Sequence, residues 1–175
     1  MDYQAHLVPL DGFAATLAQR VQGGARGCNI TVPFKFEAFQ AAHTQSDRAQ
    51  LAQAANTLAV ENSQIHADNT DGVGLVNDIQ NHAGVSLAGR DVLLIGAGGA
   101  GAGALGPLLM AGPRRLVLAN RTRAKADALV ARHQAHSSLH AALQRTELLA
   151  QDLQALEGVF DVIINASASS LSGGG

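Results

Sequence analysis

The feature that most constrains the fold of this chain is a glycine-rich run between an aliphatic segment and a stretch of small residues. Asp91–Ile95 (DVLLI) predicts a strand of almost pure aliphatic residues, as expected for a parallel strand covered on both faces. Gly96–Gly101 (GAGGAG) matches G-x-G-x-x-G, and we predict a helix from about Gly99 to Ala111 and then a strand over Arg115–Ala119. The motif requires this order of strand, turn, helix and strand, so Asp91–Arg123 is predicted to bind a dinucleotide.

Each glycine of the motif has a physical role in such a turn. Gly96 permits the tight turn, Gly98 lets the backbone approach the pyrophosphate, and Gly101 lets helix and strand pack closely. The helix N-terminus supplies free N–H groups and the positive end of a dipole to the phosphates. A glycine-rich turn that binds nothing is the alternative, and the surrounding elements disfavour it. The residues of this turn expected to bind the cofactor are Gly96, Ala97, Gly98, Gly99 and Ala100.

The end of the second strand favours NADP(H) over NAD(H). NAD enzymes usually place Asp or Glu at this point to hold the ribose 2′-hydroxyl. Here Asn120–Lys125 (NRTRAK) contains no carboxylate, three cations and a hydroxyl. Arginine pairs with phosphate through two parallel hydrogen bonds, which suits a 2′-phosphate, whereas a solvated basic turn is the plain alternative. The residues expected to bind the cofactor here are Asn120, Arg121, Thr122 and Lys125.

Composition excludes several classes of protein. With 175 residues, of which 47% are hydrophobic and 15% charged, the chain can bury a core and does not resemble a disordered segment. The net charge is −2 and only Lys35 and Lys125 are lysines, so nothing suggests a nucleic-acid or membrane-surface footprint. The N-terminus lacks the basic and apolar regions of a signal peptide, so a cytoplasmic location is expected.

A membrane span, a disulfide and a metal site are also disfavoured. Val92–Pro113 carries no charge, but its seven glycines and its division into strand and helix are unlike a membrane helix. The single cysteine, Cys28, allows no disulfide within the chain and no zinc motif. His133, His136 and His140 could share a helical face, but they lack carboxylate or cysteine partners at ligand spacing.

Strands and helices are predicted to alternate along the whole chain, which favours a parallel α/β architecture in both halves. The elements predicted in the first half are a strand at Ala5–Val8, a helix after Asp11, a strand at Gly27–Val32, a helix from Pro33 to about Ala42, a short helix at Ser46–Gln53, extended pieces at Asn56–Val60 and Gln64–Ala67, and a helix from Asp71. The further elements of the second half are a helix at Arg123–Arg132, a mostly helical stretch at Gln134–Gly158, a strand at Val159–Asn165 and a Ser/Gly-rich end at Ser167–Gly175.

Three short stretches of the first half carry polar residues that need an explanation. They are Asn29–Lys35 (NITVPFK), Ala54–Leu58 (AANTL) and Asn69–Gly72 (NTDG). Taken singly, Asn56 could serve a turn and Asp71 could cap a helix. A surface lysine is the plain interpretation of Lys35, although a lysine in the first turn of a helix opposes the helix dipole.

Taken together, and in this order ahead of the dinucleotide unit, these stretches resemble the shikimate dehydrogenase family. The family shows N-[VI]-T-V-P-[FL]-K, A-V-N-T, N-T-D-G, GAGGA, NRT and INA[TS] stretches. Their counterparts here are residues 29–35, 54–57, 69–72, 96–100, 120–122 and 164–167. The resemblance implies an α/β substrate-binding and catalytic domain at residues 1–86, a Rossmann-type NADP-binding domain at 87–175, and a site in the cleft between them.

The resemblance also implies an activity and residue roles. Family members reversibly reduce 3-dehydroshikimate to shikimate with NADPH in aromatic amino-acid biosynthesis. By this resemblance Lys35 is the catalytic lysine and Asp71 its paired aspartate. Thr31, Asn56 and Asp71 would bind the substrate, and Asp47 is a weaker candidate near the nicotinamide. An ammonium supplies both a proton and a positive charge to the oxygen of a ketone under reduction, which suits Lys35.

The chain departs from the family pattern at both ends. The N-terminal Ser-x-Ser-Pro segment, which holds the substrate carboxylate, and the C-terminal part that carries a substrate-binding glutamine have no counterpart here. A fragment or truncated product of a shikimate dehydrogenase is therefore the first expectation. A quinate/shikimate dehydrogenase paralogue and a catalytically silent nucleotide-binding remnant are the alternatives. The expected partner is a small-molecule substrate, with no nucleic acid or membrane, and a homodimer is left open.

Overall fold

The computed structural model describes residues 2–167, which form two four-stranded sheets with helices packed against them. The elements of the first half are α1 (Phe13–Gln22), β1 (Gly27–Asn29), α2 (Lys35–Ala41), β2 (Thr44–Gln45), α3 (Asp47–Ala52), β3 (Thr57–Glu61), β4 (Gln64–Asp68) and α4 (Asp71–Asn77), which continues as a π-helical turn (Asp78–His82). Those of the second half are β5 (Asp91–Ile95), α5 (Gly99–Met110), β6 (Arg115–Asn120), α6 (Arg123–Ala135), a 3₁₀ turn (Ser137–Leu139), α7 (His140–Leu143), β7 (Glu147–Asp152), a 3₁₀ turn (Leu153–Ala155) and β8 (Val162–Asn165).

The second sheet is parallel throughout, with strand order β7-β6-β5-β8. Its central strand β5 is covered on both faces, since Val92 and Leu94 join one apolar cluster while Leu93 joins another. This burial explains why the strand is a continuous aliphatic run and confirms the predicted parallel strand. The Ser/Gly-rich end of the chain beyond Ser167 lies outside the described residues.

The first sheet is mixed, with order β1-β3-β4-β2, so the prediction of a parallel architecture in both halves is wrong for this half. Strands β3 and β4 are antiparallel because only Asn62 and Ser63, at φ 50° and 62°, connect them. A two-residue turn joins antiparallel neighbours, whereas parallel strands need a long crossover. β1 is antiparallel to β3, and only β2 runs parallel to its neighbour β4.

Two further sequence predictions are wrong. Ala5–Val8 is not a strand, because no strand of the described residues lies alongside to complete a hydrogen-bonded ladder. Gln134–Gly158 is not mostly helical, since it contains β7, which pairs with β6 along six residues from Glu147 to Asp152. Leu148 of β7 is buried in the main core, and this tertiary pairing outweighs the local helical preference of the segment.

The main apolar core joins the two halves of the chain. Leu51 and Ala54, from the region of α3, pack in the same cluster as Leu94, Leu105 and Leu118 of the parallel sheet and its helix α5. The first half is thereby fixed against α5, the helix that begins at the glycine-rich turn.

Among the described residues, no helix combines the length and hydrophobicity that a membrane crossing needs. The boundary between residues 86 and 87 stays a prediction.

Helices α4 and α5 approach closely because small residues face each other. A Cβ atom placed on Gly72 would lie 2.2 Å from the backbone oxygen of Gly103 and 2.8 Å from the Cα of Ala104. Any side chain at Gly72 would therefore separate the helices. The contact matters for function because α4 begins at Asp71 and α5 at the glycine-rich turn.

We expect Gly72→Ala to lower the free energy of unfolding by about 2 kcal/mol, because its Cβ overpacks the contact between α4 and α5. Gly74→Ala in the same helix is the matched control, since a Cβ there meets no atom within 4 Å. This control should stabilise the protein by about 0.5–1 kcal/mol through helix propensity. Urea denaturation measures both variants, and equal effects would contradict the close approach.

Candidate active site

The structure brings together Lys35, Asp71 and Asn56. Lys35 Nζ donates a hydrogen bond to Asp71 Oδ2 at 2.6 Å, and the two side chains are 12% and 29% exposed. Asn56 Nδ2 donates to the other carboxylate oxygen, Asp71 Oδ1, at 2.8 Å. The aspartate is thus held between an ammonium and an amide, and the ammonium keeps protons free for another partner.

Three separate segments of the chain position these side chains. Lys35 is the first residue of α2, Asn56 directly precedes β3, and Asp71 is the first residue of α4. The backbone N–H of Ala55 donates to the carbonyl of Lys35 at 2.8 Å, which ties the start of α2 to the approach of β3. Asn56 Oδ1 accepts from the backbone N–H of Thr70 at 3.0 Å, which ties that approach to α4.

Asn69 is a supporting residue that sequence reasoning missed. It is 1% exposed, its Nδ2 donates to Ala54 O at 3.0 Å, and its Oδ1 accepts from the backbone N–H of Asp71 at 3.2 Å. A Cβ on Gly103 would lie 2.7 Å from Asn69 Oδ1, so glycine in α5 makes room for this amide. An asparagine two residues before a helix start is a capping signal that could have identified it.

Thr31 and Asp47 do not join this cluster. Thr31 is exposed and lies beside a cavity of 560 Å³ between residues 6–10 and Asn29–Phe34. Asp47 is exposed at the first residue of α3, and among the described residues it forms no hydrogen bond or ion pair with Lys35. Both assignments stay predictions.

The glycine-rich turn has the geometry that a bound pyrophosphate needs. Gly96 has φ +106°, a conformation that favours glycine. A Cβ on Gly101 would lie 1.9 Å from Gly96 O, so the helix start packs directly on the turn. A Cβ on Gly98 would meet no atom within 4 Å, which leaves this backbone open in front of the N-terminus of α5. The residues present therefore fit a dinucleotide.

Asn120 connects this turn to the basic turn that follows β6. Its Oδ1 accepts from the backbone N–H of Ala97 at 3.1 Å, and its Nδ2 donates to Thr122 O at 2.9 Å. One side chain therefore fixes both loops at the carboxyl ends of β5 and β6. Dinucleotides bind at this edge of such sheets.

The three cations of the basic turn are not equivalent. Arg123 Nε pairs with Asp127 Oδ1 at 3.0 Å on the exposed face of α6, so a carboxylate already lies beside its charge. Arg121 and Lys125 have no carboxylate partner among the described residues. The side chains available to a 2′-phosphate are therefore those of Arg121, Thr122 and Lys125.

The Lys35 cluster lies directly against the glycine-rich turn. A Cβ on Gly99 would be 3.5 Å from Lys35 Cδ and 3.7 Å from Lys35 Cβ. The stem of the lysine that begins α2 thus faces the glycine that begins α5, with room between them for about one added carbon atom.

The histidines and the cysteine take no part in this arrangement. His133 is buried, its Nδ1 is bonded to Leu129 O at 2.9 Å, and burial lowers its pKa to about 4. Burial raises the pKa of the Cys28 thiol, so it is a weak nucleophile at neutral pH. Within residues 2–167 no group of His, Cys, Asp and Glu side chains could hold a metal ion.

Both halves of the chain match models of known protein families. Residues 1–58 match the family model described as "Shikimate dehydrogenase substrate binding domain". Residues 77–172 match the model described as "Shikimate / quinate 5-dehydrogenase". The two matches follow each other in the order predicted from the sequence motifs.

Individual relatives cover nearly the whole chain. A protein of Acidovorax sp. (strain JS42) named shikimate dehydrogenase (NADP(+)) is 63% identical over 174 residues, which are 99% of this chain and 60% of that protein. A crystal structure of an enzyme from Pseudomonas putida is 48% identical with a TM-score of 0.79, covering 94% of this chain and 58% of that one. The shikimate 5-dehydrogenase of Thermus thermophilus, in complex with NADP(H) and shikimate, is 28% identical with a TM-score of 0.73, covering 91% and 54%.

These matches confirm the predicted α/β fold class with a Rossmann-type nucleotide-binding unit. The chain spans about 60% of the length of the Acidovorax relative. The second family model alone covers more than half of the 175 residues. The chain belongs to the shikimate / quinate 5-dehydrogenase family.

Proposed function

We propose that this chain carries the catalytic centre of an NADP-dependent shikimate dehydrogenase, which interconverts 3-dehydroshikimate and shikimate. One observation carries the proposal: the Lys35–Asp71 pair, joined at 2.6 Å, lies against Gly99 of the dinucleotide turn. Reduction of a ketone requires a proton donor near the dinucleotide site, and the stem of Lys35 faces the first residue of α5. The Acidovorax relative is named for this activity.

The residues of the chain divide the chemistry among them. Bound NADPH supplies the hydride. Lys35 donates a proton to the carbonyl oxygen of the substrate, and its positive charge stabilises the negative charge that develops there. Asp71 orients the ammonium, and Asn56 holds Asp71 through its Oδ1. In the reverse direction the neutral Lys35 amine accepts the hydroxyl proton of shikimate.

Preference for NADP is assigned to the basic turn after β6. Asn120 holds this turn against the glycine-rich turn, which supports the assignment of Arg121, Thr122 and Lys125 to a 2′-phosphate. Gly96 and Ala97, the first two residues of the glycine-rich turn, are assigned to the pyrophosphate. The absence of a carboxylate at this strand end removes the group that would repel the phosphate.

Substrate recognition is assigned to Thr31, Asn56 and Asp71. Hydroxyl, amide and carboxylate groups match a ring that carries several hydroxyl groups, because each can form a directional hydrogen bond with it. Asn56 Nδ2 donates to Thr70 Oγ1 at 3.0 Å and to Asp71 Oδ1 at 2.8 Å, so its orientation is fixed and a bound hydroxyl would take the place of one of these partners.

The test is a spectrophotometric assay of the purified 175-residue chain with four pairs of reactants, which combine shikimate or quinate with NADP⁺ or NAD⁺. We expect reduction of NADP⁺ with shikimate and at most about a tenth of that rate with the other pairs. Calorimetric titration with NADP⁺ runs in parallel. Binding of NADP⁺ without any reduction would replace this proposal by a nucleotide-binding role, and faster reduction of NAD⁺ with quinate would replace it by a quinate dehydrogenase.

A further inference from the structure

A chain of three hydrogen bonds joins the backbones of Lys35 and Asp71, apart from the contact between their side chains. The N–H of Ala55 donates to Lys35 O at 2.8 Å. The preceding residue, Ala54, accepts at its carbonyl from Asn69 Nδ2 at 3.0 Å. Asn69 Oδ1 in turn accepts from the N–H of Asp71 at 3.2 Å. One side-chain amide therefore connects the start of α2, through the approach to β3, with the start of α4.

The position of this amide is strongly constrained. Asn69 is 1% exposed, and its backbone N–H donates to Asp68 Oδ1 at 2.7 Å. Asp68 is itself held by Arg48, whose Nε and Nη2 donate to its two carboxylate oxygens at 3.1 and 2.5 Å. An asparagine side chain offers both a donor and an acceptor, and a buried one that loses either partner leaves an unsatisfied polar atom. Asparagine thus fits a position that must bind a carbonyl and an N–H at once.

Helix α5 packs against the same amide. A Cβ atom placed on Gly103 would lie 2.7 Å from Oδ1, 2.9 Å from Nδ2 and 3.1 Å from Cγ of Asn69. These three are the nearest atoms outside the helix itself, and all belong to one amide group. A methyl group added at Gly103 would therefore displace the amide first, and through it the backbone of Asp71. Asn69 thus lies between Asp71 and the helix that begins at the glycine-rich turn.

We propose that Asn69 is a positioning residue, whose amide fixes the backbones of Lys35 and Asp71 relative to each other and to α5. The proposal rests on the proposed function and deepens it, because Asn69 acts through Asp71 and not on the substrate. A displaced acid–base pair slows the chemical step, and a misplacement of about 1 Å can lower a rate about 100-fold. The competing role is purely structural: loss of the amide would then lower stability and leave the pair unchanged.

Two substitutions act on the amide in different ways. Asn69→Ala removes it, and Gly103→Ala displaces it. Each should lower kcat with shikimate and NADP⁺ about tenfold and leave the KM for NADP⁺ within about threefold, since the cofactor turn is unchanged. The double variant should be at most about twofold slower than Asn69→Ala, because the added methyl group then meets no amide. Gly106→Ala, one turn further along α5, is the matched control: its Cβ would lie 3.5 Å from the nearest atom outside the helix, so kcat should stay within about twofold.

Nuclear magnetic resonance provides a readout that does not require turnover, because Lys35 and Lys125 are the only lysines of the chain. Lysine labelled with ¹³C at Cε gives one signal for each side chain, and Asp71→Asn shows the Lys35 signal without its ion pair. Asn69→Ala and Gly103→Ala should move the Lys35 signal in the same direction and leave the Lys125 signal in place. An unmoved Lys35 signal in the folded Gly103→Ala protein, or kcat losses that multiply in the double variant, would overturn the positioning role. A moved signal in a chain without turnover would support that role and overturn the proposed function.

Discussion

Lys35→Met is expected to lower the turnover of shikimate with NADP⁺ by at least about 1,000-fold. The substitution removes the proton-transferring group and the positive charge but keeps an unbranched stem beside Gly99. A Cβ atom placed on Gly99 would lie 3.5 Å from Lys35 Cδ. Loss of general acid–base catalysis alone accounts for a factor of about 10²–10⁴, and loss of electrostatic stabilisation adds to it. Steady-state rates with saturating reactants measure the effect.

Affinity for NADP⁺ separates this loss from unfolding or from damage to the cofactor site. Lys35→Met should bind NADP⁺ within about twofold of the unmodified chain, because no phosphate contact is assigned to Lys35. The control is Lys125→Met, which changes the other lysine of the chain. It should raise the KM for NADP⁺ about tenfold and leave kcat within about threefold. Turnover that survives in a folded Lys35→Met protein would remove Lys35 from the mechanism.

The pairing of Lys35 and Asp71 shows which parts of the site sequence motifs can predict. These residues lie 36 positions apart, and no periodicity in the sequence connects them. The resemblance to a family placed both in one site, and the structure brings them to 2.6 Å. The bond of Asn69 to the backbone N–H of Asp71 is local and could have been predicted as a cap, whereas its contacts with the carbonyl of Ala54 and with Gly103 of α5 are tertiary and could not.

The local sequence also gave an incomplete expectation for one charged residue of the basic turn. Arg123 counted as a cation available to a phosphate, but its partner Asp127 stands one helical turn further along, where i,i+4 ion pairs form. That pair was readable from the spacing.

The parallel sheet was predictable where its strands are buried on both faces. The aliphatic run of β5 and the glycines after it specify strand, turn and helix locally, and their predicted starts agree with the structure. β7 lies at the edge of the sheet, and its sequence ELLAQD has no β-branched residue, so its conformation depends on pairing with β6. The two-residue turn at Asn62-Ser63 was the local signal against a parallel first sheet.

Substitution of Gly101 should have the largest effect on stability. A Cβ at this position would lie 1.9 Å from Gly96 O and 2.9 Å from Gly96 C, and both atoms belong to backbone rather than to a flexible side chain. Gly96 cannot easily yield, since its φ of +106° belongs to the tight turn. We expect Gly101→Ala to lower the free energy of unfolding by about 4 kcal/mol, above the usual range for overpacking, because backbone must move. Urea denaturation measures this loss.

Gly98→Ala in the same turn is the control that separates stability from binding. Its Cβ would meet no atom of the protein within 4 Å, and its φ of −84° is open to any residue, so stability should change by less than about 0.5 kcal/mol. The same methyl group would stand where the pyrophosphate approaches the backbone, so affinity for NADP⁺ should fall at least about tenfold. A Gly98→Ala protein with unchanged affinity would mean that the dinucleotide does not lie over this turn, whatever Gly101→Ala does to the fold.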